Sequence, residues 1–231
     1  MRTTLAVITT GLLAAGMTVA ASAQNKIDNE LDQATQIMNE LTGPQSTAGI
    51  PDAVLKDAKC VAVIPKMLKA GFVVGGQHGD GIATCKMADG RWSPPAPFSL
   101  TGASFGAQIG GEEQGYVMMV MNHEGLAALE SGHFKVGAGV DAAAGPVGRE
   151  ASASGGWKAS ILSYSRAKGA YVGATLNGAE LNQDKNATRE LYGHEVPFSD
   201  ILHGEAHTTE AAARQFVHTI NHAVEQAGSG D

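Results

Sequence analysis

The sequence predicts an α+β protein: a single domain built on a curved, mainly antiparallel β-sheet or partly closed barrel of short strands, flanked by N-terminal and C-terminal helices. Three observations carry this expectation. Apolar residues recur at helical spacing near both ends, short runs of β-branched and small residues divided by glycine-rich turns fill the middle, and the strands do not alternate with long helices as a parallel α/β fold requires.

The chain has 231 residues, of which 43% are hydrophobic, enough for a core of ordinary domain size. Its 30 glycines follow no three-residue period, so collagen-like structure is excluded, and small residues are expected at tight turns and close packing contacts. Arg2, an apolar run from Leu5 to Ala21 and the Ala21-Ser22-Ala23 site together predict a secretory signal peptide over residues 1–23, cleaved after Ala23. The polar QNKIDNE that follows argues against a retained anchor helix. An exported, periplasmic or secreted protein is expected. Without Arg2 the chain has 15 basic against 23 acidic residues, a formal charge of −8 that argues against bulk nucleic-acid binding.

From residue 24 the elements follow in order. Ile27, Leu31, Ala34, Ile37, Met38 and Leu41 mark an amphipathic helix over Lys26–Leu41 with an acidic outer face, and with a linker it fills residues 24–49. Residues 50–59 read as a short second helix, with Pro51 suited to its first turn. Strand-like runs follow: CVAVIP, GFVVGG, GIATCKM, APFSLTGASFGAQIGG, GYVMMVMN, FKVGAGVDAA, KASILSYS and AYVGATLNG. HEGLAALESGH, His123 to His133, is expected as one helix among them. The last helix carries the stripe Phe216, Ile220, Val224 and Ala227, with Thr208 or Thr209 as its expected cap. Domain 50–231 thus holds the sheet and the C-terminal helix.

Motifs that imitate catalytic or cofactor sites are weak here. Gly102-Ala103-Ser104-Phe105-Gly106 matches the nucleophile-elbow pattern, with His194, His203 or His207 as conceivable partners of Ser104, but no helix follows and a strand-like run does. A serine hydrolase is the least supported alternative, and no catalytic residue is expected. GGQHGDG and GAGVDAAAGPVG match neither phosphate-binding glycine pattern. His203/His207 and His218/His222 have helical four-residue spacing, yet no cysteine or carboxylate set completes either pair, so neither a metal nor any cofactor is expected. In an oxidising compartment Cys60 and Cys85 are expected to form a disulfide, two buried thiols being the other reading. They lie outside any C-x-x-C redox motif.

The segments AKCVAVIPKMLKAGFVVGGQHGDG, PPAPFSLTGASFGAQIGG, FKVGAGVDAAAGPVGRE, SILSYSRAKGAYVGATLNGAEL and FSDILHG, in order from about Ile50 to Asn221, resemble the SYLF domain, also called the Ysc84 actin-binding-like family. The specific parts are Ser99-Leu-Thr-Gly102 and the Ser163–Gly169 hairpin. The resemblance implies a non-enzymatic lipid-binding module; eukaryotic members are associated with phosphoinositide membranes and, in some, with actin filaments, while bacterial members are typically exported. For an exported chain only lipid binding is carried over. Cys60 stands where the family pattern is expected to hold glycine, which points to a local disulfide. Membrane attachment through the N-terminal helix, as in some eukaryotic relatives, is not expected, since Asp28, Glu30, Asp32 and Glu40 oppose Lys26 alone.

Lys56, Lys59, Lys66 and Lys69 concentrate within fourteen residues of an otherwise acidic chain. With Arg166 and Lys168 they form the expected headgroup patch, and Met67 and Leu68 are the expected residues of insertion into the lipid interface. A solvated charge cluster beside a core strand is the plain alternative. An envelope scaffold that binds a protein partner is the second functional reading.

Overall fold

The computed structural model describes residues 13–42, 49–106, 112–138, 140–147, 157–167, 170–173 and 176–229. The predicted α+β class holds: helices at both ends enclose a mixed eight-stranded sheet that curls into a half-barrel. Helix α1 spans Leu13–Thr42 and α2 spans Asp52–Asp57. Strands β1 (Cys60–Cys85), β2 (Ala96–Gly106) and β3 (Glu112–Val120) follow, then α3 (His123–Glu130). Next come β4 (His133–Lys135), β5 (Ala142–Ala144), β6 (Ile161–Ala167), β7 (Ala170–Gly173) and β8 (Glu180–Gln183). The chain closes with α4 (Lys185–Tyr192), α5 (Phe198–Leu202) and α6 (Ala211–Gly228). The sheet order is β4-β8-β2-β1-β3-β6-β5, with β7 paired to β6. Among the described strands only β5 and β6 run parallel.

The expected short strands CVAVIP, GFVVGG and GIATCKM are one continuous 26-residue strand. That strand doubles back on itself. Its ends meet at the Cys60–Cys85 disulfide, whose Cα atoms lie 4.0 Å apart, and the Lys86 amide donates to the Lys59 carbonyl at 2.7 Å. Farther along, Gly81 lies against Val63 and Ile64, and Gly79 against Ile64, Lys66 and Met67. These pairs converge on residues 72 and 73 as the point of reversal. The outgoing arm pairs with β3 and the returning arm with β2, so this ribbon is the centre of the sheet. A bulge falls between Ile64 and Met67, where Pro65 has no amide proton to give to the ladder.

The core forms where α1 crosses β1. Ile27, Leu31, Ala34, Ile37, Met38 and Leu41 are all buried, as their spacing predicts. Helix α1 also packs against α6, whose Phe216 and Ile220 are fully buried. Two ion pairs fasten α1 to the sheet: Lys26 to Asp80 at 3.1 Å, and Glu40 to Arg166 at 2.9 Å. Beside the first, burial and then the Asp80, Asp184 and Glu190 carboxylates push Glu30 up to about 8.

Other expectations need correction. FKVGAGVDAA is split into β4 and β5, because Gly137 turns the chain at φ +77 and its amide donates to Val140 O. The His123–His133 helix stops at Glu130, and its cap is Asn122, which accepts from the Gly125 amide. Neither Thr208 nor Thr209 is the cap of α6; Glu210 holds that position without a side-chain bond, while Thr208 accepts from the Glu210 amide.

Candidate functional site

The fold-back of β1 decides which lysines share a surface. Lys59 starts the outgoing arm, bonded through its amide to Val120 O, whereas Lys69 nears the reversal. At about 3.3 Å per residue an extended arm of this length separates them by roughly 30 Å. Lys56, on α2, stays at the Lys59 end. The expected patch is therefore divided: a cluster in sequence becomes a line in space.

Along the outgoing arm the chain is buried on both faces from Cys60 to Ile64, then alternates. Lys66 is exposed, Met67 is fully buried, and Leu68 is 48% exposed. The insertion role expected of Met67 is corrected by this alternation, because successive strand residues face opposite sides and Met67 belongs to the core. Leu68 and Val147 are the large hydrophobic residues exposed among the described residues. Lys66 and Leu68 thus point outward together.

Lys69 is committed to its own sheet. Its Nζ donates to Tyr116 Oη at 2.5 Å and to Gln114 Oε1 at 3.3 Å, and stands 5.1 Å from the Tyr116 ring centroid. The register sets Glu112 opposite Lys69 and Glu113 opposite Leu68. Arg166 reaches the same end from β6: Gly115 is flanked by Pro65 O and by the Arg166 side chain, and an added Cβ there would stand 3.3 and 3.8 Å from them. Its guanidinium, however, is paired with Glu40. Lys168 and Gly169 lie outside the described residues; the ladder ends on either side of them with Ala167 opposite Ala170. The structure therefore brings Lys66, Leu68, Lys69 and Arg166 to the end of the sheet where β1 reverses, and leaves Lys56 and Lys59 at the other.

The Ser-Tyr-Ser run of the hairpin serves packing. Ser163, Tyr164 and Ser165 are all buried. A Cβ on Gly145 would sit 2.2 Å from the Tyr164 ring, so glycine is required where the chain crosses it. Burial raises the Tyr164 hydroxyl above the usual phenol range.

Ser104 lies within β2, opposite Gly75, and its side chain is outside the described residues. This is strand, not the strand-to-helix elbow that a serine nucleophile needs. The histidines considered with it lie elsewhere: His194 Nδ1 contacts Tyr192 O at the Pro95 end of β2, and His203 pairs with Glu130 at 2.9 Å. His218 and His222 stack on one another with ring centroids 6.3 Å apart. Among the described residues no group of three or more histidine, cysteine or acidic side chains is placed to hold a metal ion. Among them, too, no helix is long and apolar enough to cross a membrane.

Comparison with known proteins adds a separate line of evidence. The profile of a family described as Ysc84, Las17-binding protein actin regulator, matches residues 101–223. An SH3 domain-containing protein of Schizosaccharomyces pombe is 32% identical over 216 residues, which cover 90% of this chain and 50% of the relative. Protein YSC84 of Saccharomyces cerevisiae is 32% identical over 195 residues, 80% of this chain and 42% of its own length. The human SH3 domain-containing YSC84-like protein 1 is 29% identical over 188 residues, 78% of this chain and 55% of its own. The chain spans about half the length of these curated relatives.

Proposed function

The chain belongs to the Ysc84 family, and on that premise we propose that it is a non-enzymatic module that docks reversibly on anionic phospholipid through the end of the sheet where β1 reverses. The observation that carries this reading is the outward pairing of Lys66 with the exposed Leu68. A cation held near an anionic surface contributes about 1 kcal/mol, and an apolar side chain entering the interface adds a contribution of similar size. Lys69 and Arg166 flank the pair but are engaged by Tyr116 and Glu40, so attraction at this end is weak and sensitive to salt. The module works in the cell envelope, periplasmic or secreted, after removal of residues 1–23; mass spectrometry of the exported protein should give an amino terminus at Gln24.

Co-flotation with liposomes tests the docking. Association with anionic vesicles, reduced in high salt and absent with neutral vesicles, supports it. Equal association with neutral and anionic vesicles sinks it.

A second reading rests on the comparisons. The matched family is described as Las17-binding, and a relative carries the name LAS seventeen-binding protein 3. On this reading the same end of the sheet receives a protein, as an envelope scaffold would. Retention of an envelope partner by the immobilised chain, lost on Leu68→Asp while vesicles are ignored, favours it.

A further inference from the structure

At the opposite end of β2 from Ser104, a cavity of about 750 Å³ opens between the segment that follows β1 and the start of α6. Its lining is of two kinds. Met87, Trp92, Ala213 and Val217 offer an apolar surface, while Arg214 and His218 stand on α6 beside it. Across the cavity Arg91 holds Asp89, the acidic residue of the lining, at 2.7 Å. With Asp89 so neutralised, Arg214, whose Nη1 donates to the Thr209 carbonyl, keeps its positive charge and its remaining N–H donors beside an apolar hollow, in a chain whose net charge is −7.

The walls are built before any ligand arrives. Thr84 Oγ1 donates to Ser93 O at 2.7 Å, and the Ser93 amide donates to Cys85 O at 2.8 Å, fixing one wall to the disulfide-closed base of β1. Tyr192 Oη donates to Pro95 O at 2.7 Å. On the other side Thr208 Oγ1 donates to Leu191 O at 3.1 Å. Gly204, at φ +84, lets Met87 close against the chain, since an added Cβ would meet its sulfur at 2.4 Å. Little order has to be imposed on binding. The volume suits one small molecule.

We propose that this cavity binds a small amphiphilic anion, a carboxylate or phosphate monoester on a short apolar body, with the body against Trp92 and Val217 and the charged group at Arg214. A charged donor to an anion is the stronger class of hydrogen bond, so the guanidinium should distinguish the anion from its neutral counterpart. The site lies away from the reversal end of β1, and its occupancy is independent of membrane docking.

Titration calorimetry on the full chain tests it with three probes: octyl phosphate below its micelle concentration, octanol and inorganic phosphate. Saturable binding of octyl phosphate, about tenfold or more tighter than either other probe, is expected. Arg214→Gln should lower octyl phosphate affinity about tenfold and leave octanol unchanged, while Val217→Ser should weaken both. Arg214 is exposed, so its replacement leaves the fold intact, and vesicle co-flotation of that variant should match the wild type. Octanol binding as tightly as octyl phosphate, an indifferent Arg214→Gln, or no saturable heat overturns the proposal.

Discussion

Arg166 Nη2 lies 2.9 Å from Glu40 Oε2, so this cation of the β6–β7 hairpin is held by the N-terminal helix. Both side chains are partly exposed, at 40% and 30%, and such pairs stabilise a fold by less than about 1 kcal/mol. The pair matters more for what it withholds. Glu40→Gln should leave the unfolding midpoint nearly unchanged yet raise association with anionic vesicles, by releasing Arg166 and removing a carboxylate. Unchanged or weaker association would show that Arg166 does not face the lipid.

Glu30 gives α1 a pH dependence. Its folded value, pushed up to about 8 by burial and neighbouring carboxylates, stands above the ordinary value of 4.5. A raised acid keeps its proton in the folded state after the unfolded chain has lost its own, so stability is greatest below the ordinary value and falls as pH climbs to about 8. Urea denaturation across that window should show the decline, and Glu30→Gln should flatten it. An equal slope in the variant would place the origin elsewhere.

The disulfide closes β1 at its base, joining cysteines 25 positions apart. By the chain-entropy account a loop of this size contributes about 3 kcal/mol. Cys60→Ser with Cys85→Ser should lower stability by that order while circular dichroism keeps the same sheet content. A loss below 0.5 kcal/mol, roughly the scatter of such measurements, would mean that the arms are held without it.

Gly81 tests the fold-back directly. An added Cβ would lie 2.6 Å from Val63 O, 2.7 Å from the Phe98 ring and 2.9 Å from Ile64. Because the first of these is backbone, little can yield, and Gly81→Ala should cost about 1–3 kcal/mol. Gly76→Ala, with nothing within 4 Å of its added Cβ, is the matched control and should be close to neutral.

Helical periodicity was the most legible signal: the α1 and α6 stripes face the core as their spacing requires. The reversal of β1 was not, because KAGFVVGG carries no Asn-Gly or Asp-Gly turn and reads as more strand. Nor was the splitting of the lysine patch, since nearness in sequence means distance once the chain is extended. The same strand geometry, read residue by residue, separates Met67 from Leu68. Helix α4 was legible and missed: Asp184 accepts from the Asn186 and Ala187 amides, and Gly193 ends the helix at φ +77. Capture of Lys69 by Tyr116 joins residues 47 positions apart, and no local pattern announces it.

The central claim is that one end of the β1 ribbon, and not the other, meets the membrane. Its most direct test is co-flotation on anionic vesicles of two charge-reversed proteins, Lys66→Glu with Leu68→Asp against Lys56→Glu with Lys59→Glu. The second changes net charge more than the first, so a general electrostatic effect weakens the second at least as much. The account predicts that the first variant loses vesicle association while the second stays near wild type. Equal loss in both, or loss in the second alone, contradicts it.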